Sequence, residues 1–267
     1  MAEGDGGRGI RRIACIVQYD GTNFSGWQYQ KNGRTVQGVI EEAIQILTRE
    51  TPRVSASGRT DSGVHALGQV IHFDLESQIN LQKICIGLNG ILPADVSVKN
   101  AYHVPISFHS RYSAVEREYR YYIYNYPQRS PFMRYRAMWV HDPVDVEYMR
   151  DVVKHLVGEY DFSSFCKKRE AADKNTVRRI SNIEINKKKE YIEMVFVGKS
   201  FLHHMVRIIV GTVMEMHKNR DNPADIIRTL GRKDRDFSGI TAPPYGLYLC
   251  RIAFDPPLTD GEPAFPC

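Results

Sequence analysis

The stretch RIACIVQYDG, residues 12–21, predicts a buried strand that ends in a turn at its last two residues. Outward from it, apolar side chains recur on one face over residues 36–47, which predicts an amphipathic helix capped by Thr35. The next expected elements are a loop over 55–68, a strand over 69–75, a helix over 81–88 ending at Asn89-Gly90, and a strand over 96–104.

Pro105 marks a predicted boundary, and a second half follows it. REYRYYIYN, residues 117–125, alternates cleanly, which is typical of a strand with one buried face. The further elements expected are a helix over 146–157, strands near 177–185 and 191–197, an apolar helix over 202–216, a short helix begun by Asn222-Pro223, and a strand over 246–254.

These elements predict an α+β (α/β) fold. The order strand, helix, strand, helix, strand is expected once in each half, with residues 1–10 as a disordered tail, 11–105 as the N-terminal half and 106–267 as the C-terminal half. Neither half has much apolar strand to bury alone. We therefore expect two similar halves whose antiparallel or mixed sheets join into one continuous sheet flanked by helices.

The composition is that of an ordinary globular protein, with 42% hydrophobic and 25% charged residues. No apolar run approaches the roughly 18 residues that would span a bilayer. The five cysteines are scattered and form no CxxC pair, so neither a disulfide framework nor a zinc site is indicated. The polar N-terminus does not resemble a secretory signal, and we expect a reducing, cytoplasmic setting.

Three short motifs lack the surrounding sequence that a nucleotide or metal site would need. GDGGRG, residues 4–9, lacks the preceding strand that a dinucleotide site needs. Gly198-Lys199-Ser200 lacks the first glycine of a phosphate-binding loop. His203 and His204 are expected on a helix, where adjacent residues do not share a face, so packing or RNA contact is favoured over a metal site.

The segment SGRTDSGVHA, residues 57–66, has the composition of a reactive loop. Gly58 and Gly63 bracket it, and paired glycines permit a tight turn and close approach of a ligand. Arg59 and Asp61 alternate, so in an extended stretch both project to one side, where a carboxylate could react and a guanidinium could hold phosphate. The alternative is an Asx-turn, in which Asp61 binds its own backbone.

The same loop resembles the GRTDxGVHA core of the tRNA pseudouridine synthases of the TruA family, with Ser62 where that family often has alanine. The resemblance continues in order over about 230 residues. The matching stretches are YDGTNFSGWQ (19–28), Thr35-Val36-Gln37, LNGILPADV (88–96), FHSRYSAVEREYRYYIYN (108–125), FLHHMVRIIVG (201–211) and TAPPYGLYL (241–249).

The resemblance implies the pseudouridine synthase fold and an isomerase that needs no cofactor and no metal. It assigns Asp61 as the catalytic carboxylate, Arg207 as its cationic partner and Tyr119 as the active-site tyrosine. It places Leu247 in the substrate pocket and implies that Arg59 binds a phosphate of the flipped nucleotide. It also implies a homodimer that acts on the anticodon arm of tRNA, at positions 38, 39 and 40, with no membrane partner.

The net charge of +5 permits a polyanionic partner without requiring one. Basic residues cluster in the segment 167–179, and such clusters are either solvated surface or phosphate contacts. We predict RNA-backbone contacts from Lys167, Lys168, Arg169 and Arg178. Two other functions stay open at this point: a related synthase that modifies another RNA or position, and a non-catalytic RNA-binding module.

Overall fold

The computed structural model describes residues 9–173 and 175–258, so the expected tail lies almost wholly outside the described residues. The strands of this part of the chain are β1 (Arg11–Tyr19), β2 (Ser55–Ala56), β3 (His65–Leu75), β4 (Val96–Val104), β5 (Ala114–Asn125), β6 (Met138–Val140), β7 (Gly158–Asp161), β8 (Val177–Lys188), β9 (Tyr191–Gly198) and β10 (Leu247–Phe254). The α-helices are α1 (Val36–Thr48), α2 (Leu81–Ile91), α3 (Val146–Val153), α4 (Lys168–Asp173), α5 (Met205–Asn219) and α6 (Asp225–Arg232).

The strands follow the hydrogen-bonded order β4-β1-β3-β10-β5-β9-β8-β7, with β2 beside β3 and β6 beside β5. The β5–β6 pair is parallel and the β5–β9 pair is antiparallel, so the sheet is mixed. The predicted fold class, a continuous mixed sheet flanked by helices, is confirmed. The chain divides into two compact units, one up to residue 115 together with the chain from 252, the other spanning 116–251.

The first unit has the predicted order of strands and helices, with one addition: the two-residue strand β2 lies in the segment expected to be a loop. Its central strand β1 pairs antiparallel with both β3 and β4, and Ile13, Cys15 and Val17 are fully buried. Helix α1 begins where predicted, because the Thr35 hydroxyl accepts the Gly38 N–H at 3.2 Å. This strand–helix frame fixes the backbone on which the 57–66 loop is mounted.

Asn89 gives the family-like LNGILPADV stretch a structural role. The register of β1 against β4 shifts between Ile16, which faces Asn100, and Val17, which faces Val98, so β4 bulges at this point. The Asn89 amide donates to Val98 O and accepts the Val98 N–H, both at 2.8 Å. The side chain therefore completes the hydrogen bonds of β4 beside the bulge.

The second unit is more elaborate than predicted. The simple order strand, helix, strand, helix, strand is wrong here, because β6, β7 and α4, of three, four and six residues, are added to the predicted elements. Strand β5 does alternate as predicted, with Tyr119, Tyr121 and Ile123 buried on one face. Elements this short leave no periodic pattern in a sequence.

Three predicted boundaries are also corrected. The strand expected from residue 69 begins at His65, since Tyr19 of β1 still pairs with Ala66. The helix expected to start at Leu202 begins at Met205, because His204 is left-handed with φ 65°. The short helix expected at Asn222-Pro223 begins at Asp225, because Asn222 instead caps the turn before it, accepting from Ala224 N–H at 3.0 Å.

A polar cluster fastens the end of β7 to its neighbours. The Asp161 carboxylate accepts hydrogen bonds from the Ser163 hydroxyl and from the Thr176 hydroxyl at 2.6 Å, and lies 3.2 Å from the Lys233 ammonium. Partial burial opposes ionisation of Asp161, but these hydrogen bonds outweigh it and lower its pKa to about 2.

No helix among the described residues is long and apolar enough to cross a membrane.

Candidate active site

The loop that carries Asp61 is fastened to the strand that follows it. The buried Ser57 donates to Val70 O from its backbone N–H at 2.8 Å and from its hydroxyl at 2.9 Å. The Gln69 amide donates to Gly58 O at 2.7 Å. Because Gln69 and Val70 belong to β3, the loop departs from backbone that the sheet already holds in place.

A second loop, residues 20–28, supports the first. The Trp27 N–H donates to Thr60 O at 3.0 Å, and the hydroxyls of Tyr19 and Thr60 lie 2.8 Å apart. Thr60 is only 8% exposed, so both bonds are shielded from water. The residue directly before Asp61 is therefore held from its backbone and from its side chain.

Two glycines permit the close packing of these loops. A methyl group added at Gly21 would lie 2.0 Å from Val64 O, which no backbone could accommodate without moving. One added at Gly26 would lie 2.9 Å from Thr60 O, and Gly26 has a left-handed φ of +92°. The glycines of the 19–28 motif thus serve backbone approach and conformation.

Asp61 lies in a turn closed by the Val64 N–H, which donates to Asp61 O at 3.2 Å. Gly63, with φ +78°, supplies the left-handed residue of this turn. The Ser62 hydroxyl donates to Phe24 O at 3.0 Å, which ties the turn to the second loop. Ser62 therefore makes a structural contact that an alanine at this position could not make.

The Asp61 side chain is half-buried, whereas Arg59 is exposed. Withdrawal from water favours the protonated form of a carboxyl group, and a nearby cation reverses this preference. A positive neighbour would therefore favour the carboxylate form of Asp61. An exposed guanidinium at Arg59 can reach phosphate in solution.

His65, in the GVHA part of the motif, is buried against the second loop. Its Nδ1 accepts the Gly21 N–H at 3.1 Å and lies 3.1 Å from the Asp20 carboxylate. The ring is 2% exposed. The sequence alone indicates no separate role for His65, and these contacts show that it links the two loops.

In the second unit, Tyr119 lies on the buried face of β5. Its ring meets Phe201 edge to face, with ring centroids 5.2 Å apart, and the residue is 8% exposed. Arg117, on the same face, donates from Nη1 to Lys199 O. The segment between β9 and α5 therefore covers part of this face and supports the Tyr119 ring.

Arg207 lies in the first turn of α5 and is half-buried. Its Nε donates to Ala242 O at 2.8 Å, and the Ala242 N–H donates to Arg207 O at 3.0 Å. The chain before Ala242 lies directly on the helix, since a methyl group at Gly211 would be 1.7 Å from Ile240 O. This reciprocal pair fixes the direction of the guanidinium.

Leu247 opens β10, directly after a 3-10 turn over Pro244–Gly246, and is 6% exposed. The turn is held by Tyr121, whose hydroxyl donates to Pro243 O at 2.9 Å. A methyl group at Gly246 would lie 2.6 Å from Tyr121 Cζ. Burial raises the pKa of Tyr121 well above its usual range, so its hydroxyl remains a donor.

The segment 242–247 thus contacts two side chains that are distant in sequence, Arg207 and Tyr121, and itself contains Leu247. Ala242 binds Arg207, Pro243 binds Tyr121, and Leu247 ends the turn. Arg207 and Leu247 were predicted as site residues, whereas Tyr121 was missed. The alternation that places Tyr121 beside Tyr119 on one strand face was the available signal.

Comparison with known proteins gives this arrangement a family. A family model described as tRNA pseudouridine synthase matches residues 15–113 and 152–255. This chain belongs to the tRNA pseudouridine synthase family. A tRNA pseudouridine synthase A of Caldicellulosiruptor bescii is 41% identical over 245 residues, covering 92% of this chain and 100% of the relative.

Two further relatives carry the same description. The tRNA pseudouridine synthase A of an Exiguobacterium species is 43% identical over 247 residues, with 92% of this chain and 99% of the relative covered. That of Leptospira biflexa is 44% identical, with 91% and 93% covered. The protein is therefore a tRNA pseudouridine synthase, an isomerase, as the resemblance had implied. A chain of a solved Cbf5-Nop10-Gar1 complex aligns with 89% of this chain and 57% of its own length, at 11% identity and a TM-score of 0.39.

The predicted RNA-backbone residues of the synthase differ in their surroundings. Lys167 and Arg169 are exposed. The Lys168 ammonium lies 2.5 Å from Asp236 and 3.8 Å from Asp234, and the hydrogen bond to Asp236 raises its pKa. The half-buried Arg178 donates from Nη1 to the carbonyls of Asn175 and Val177, at 2.8 and 2.7 Å.

Proposed function

We propose that this synthase isomerises uridine at positions 38, 39 and 40 of the tRNA anticodon arm, with Asp61 as the catalytic carboxylate. The observation that carries the proposal is the Asp61 turn. The residues around it are fixed by bonds to β3 and to the second loop, while its carboxylate keeps partial access to solvent. A pre-ordered reactive group in a family of known chemistry is the geometry that this reaction needs.

The reaction detaches uracil from ribose at nitrogen, turns the base, and rejoins it at C5, whose hydrogen leaves as a proton. Asp61 acts on this sequence as a nucleophile or as a base, by attack on the sugar, attack on the base, or removal of a sugar proton. All three roles require an ionised carboxylate. We assign Arg207 to supply the charge that keeps Asp61 ionised and to orient it.

The remaining roles concern the flipped base. A stacked uridine cannot reach a protein carboxylate, so the nucleotide must turn out of the RNA, and new contacts offset the lost stacking. Tyr119 stacks on the uracil and its hydroxyl can move the C5 proton, while Leu247 forms an apolar wall. Arg59 holds a phosphate of the flipped nucleotide.

The wider surface carries the rest of the proposal. Lys167 and Arg169 are the stronger candidates for backbone contact, because Lys168 would first have to leave Asp236 and Arg178 its carbonyl partners. We also propose a homodimer in the cytoplasm. Light scattering on the purified protein should give about twice the chain mass of 30.6 kDa, and a value near 30.6 kDa would contradict the dimer.

The test is to incubate the protein with unmodified tRNA transcripts and to map pseudouridine at nucleotide resolution. The proposal expects product at positions 38, 39 or 40 and nowhere else in the transcript. Product at other positions, or in another RNA only, would establish a related synthase with a different target. Tight tRNA binding without product would mean a non-catalytic RNA-binding module.

A further inference from the structure

The twelve residues between β5 and β6, residues 126–137, form a surface segment that we call the strap. Its sequence, YPQRSPFMRYRA, contains three arginines and no acidic residue. It falls in the stretch between residues 113 and 152 that the family model does not match. Neither the predicted RNA contacts nor the residues assigned to the reaction include it.

The strap is fastened next to Leu247, within the second unit. The Tyr248 hydroxyl donates to Arg136 O at 2.9 Å, and the rings of Tyr135 and Tyr245 meet edge to face with centroids 6.0 Å apart. Tyr245 and Tyr248 flank Leu247 closely in sequence on either side. Tyr245 belongs to the turn that Leu247 ends, so the strap lies beside this turn.

The strap is a compact, ordered turn. The N–H groups of Met133 and Arg136 donate to Ser130 O at 3.2 Å and to Met133 O at 2.9 Å, and Pro131 opens a 3-10 turn. Phe132 projects from this turn with 84% of its surface exposed. A fixed, exposed aromatic ring can stack on a ligand without a further cost in ordering its backbone.

Tyr135 adds a second exposed ring on a strained backbone. Its φ of 60° is unusual for a residue with a bulky side chain, and such strain is commonly found at functional sites. The ring is 41% exposed and has the Arg134 guanidinium over it, 4.6 Å from the centroid. Arg129 stacks in the same way on Trp139, at 4.6 Å.

Arg129 and Arg134 of the strap are exposed to solvent. Among the described residues, neither of them lies within 4.0 Å of a carboxylate. Guanidinium groups alternating with exposed aromatic rings are the combination that binds unstacked nucleic acid, since the rings take bases and the cations take phosphates. A symmetric contact between two straps would place like charges against each other, because the strap has no acidic residue.

We propose that the strap is an RNA-binding surface that holds unstacked nucleotides beside the target uridine. Phe132 and Tyr135 stack on bases, and Arg129 and Arg134 pair with the flanking phosphates. The inference rests on tRNA as substrate, which family membership gives, and on the proposed place of Leu247 in the substrate pocket. It does not depend on the role of Asp61.

The first test is the affinity of the full-length protein for an unmodified tRNA transcript. Phe132→Ala should weaken binding by about fivefold or more, the size of one lost base–aromatic stack. Phe132→Tyr should keep affinity within about twofold, and Phe132→Leu should behave like alanine, because stacking needs a ring and apolar burial does not. If leucine restores full affinity, or if alanine has no effect, the strap does not stack on bases.

The second test is salt dependence. The double variant Arg129→Ala, Arg134→Ala should lower the slope of log affinity against log salt by about 1.4, at roughly 0.7 for each single-strand phosphate. The matched control, Lys187→Ala with Lys188→Ala, removes two exposed charges of β8 and should leave the slope unchanged. Equal slopes for the double variant and wild type, or an equal fall in the control, would overturn the proposal.

A measurement of mass separates the remaining alternative. Wild type and Phe132→Ala should sediment with the same mass, and a fall to half the mass would mean that the strap is a subunit interface. Product mapping on the same samples keeps the two proposals distinct. Wild type that binds tRNA through the strap but forms no pseudouridine would refute the catalytic proposal and leave the strap standing.

Discussion

Replacing Gly26 by alanine tests whether the second loop positions Asp61, the proposed catalytic carboxylate. The new methyl group would lie 2.9 Å from Thr60 O and 3.3 Å from the carbonyl carbon of Asp61. Ordinary contact begins near 3.4 Å, so the two loops must separate by about 0.5 Å. The backbone also holds Gly26 at φ +92°, which a residue with a side chain adopts only with strain.

Both effects have an expected size. Strain and crowding together should lower the free energy of unfolding by about 1–3 kcal/mol. A displacement of 1 Å at a reacting group can cost about a hundredfold in rate, so a shift of about 0.5 Å at Asp61 should cost roughly tenfold. Binding of tRNA should change little, because Gly26 is not among the residues proposed to contact RNA.

The assay is single-turnover release of tritium from a tRNA transcript labelled at uridine C5, together with urea unfolding. Gly90→Ala is the matched control, because its new methyl group meets nothing within 4 Å and Gly90 lies in helix α2. That variant should be slightly more stable and fully active. Wild-type rate and stability in Gly26→Ala would refute the claim that this contact positions Asp61.

Three further outcomes follow from the structure. Arg207→Ala should reduce the single-turnover rate by at least about a hundredfold, with partial recovery in Arg207→Lys, and a full-rate alanine variant would contradict the proposed role of Arg207. Gly246→Ala should cost about 1–3 kcal/mol of stability because the buried Tyr121 ring cannot yield, while Gly231→Ala, with open space around it in helix α6, should be neutral or slightly stabilising. Asp161→Asn should cost about 1–3 kcal/mol at pH 7. Since the folded-state pKa of Asp161 is depressed from 3.8 to about 2, the difference from wild type should shrink as the pH falls from 4 to 2, and a difference independent of pH would contradict it.

Regular periodicity explains most of what the sequence predicted correctly. The apolar face of residues 36–47 and the alternation of residues 117–125 each extend over nine or more residues, and α1 and β5 follow them. The first four residues of β3 were missed because histidine, alanine and glycine there resemble a loop. His65 and Ala66 are buried by partners that lie far away in the chain, which a local pattern cannot contain.

In the candidate site, too, local patterns could be predicted from the sequence and contacts between distant segments could not. The family-like motifs predict which residues take part in the reaction, since each motif is a short local string, and that assignment stays a prediction. The contacts that hold those residues could not be predicted, because they join distant segments. Arg207 is fixed by Ala242, and Tyr121 binds Pro243, 122 residues further along the chain. The positions of the supporting glycines can be read from the sequence. The reason that glycine is required there is apparent only from the backbone that packs against each one.

The most direct measurement is pseudouridine formation by Asp61→Asn on an unmodified tRNA transcript, compared with wild type under single-turnover conditions. The side chain keeps its shape but loses its charge. We predict a rate lower by about ten-thousandfold or more, with tRNA affinity within about threefold of wild type. Turnover within tenfold of wild type at the same positions would contradict Asp61 as the catalytic carboxylate.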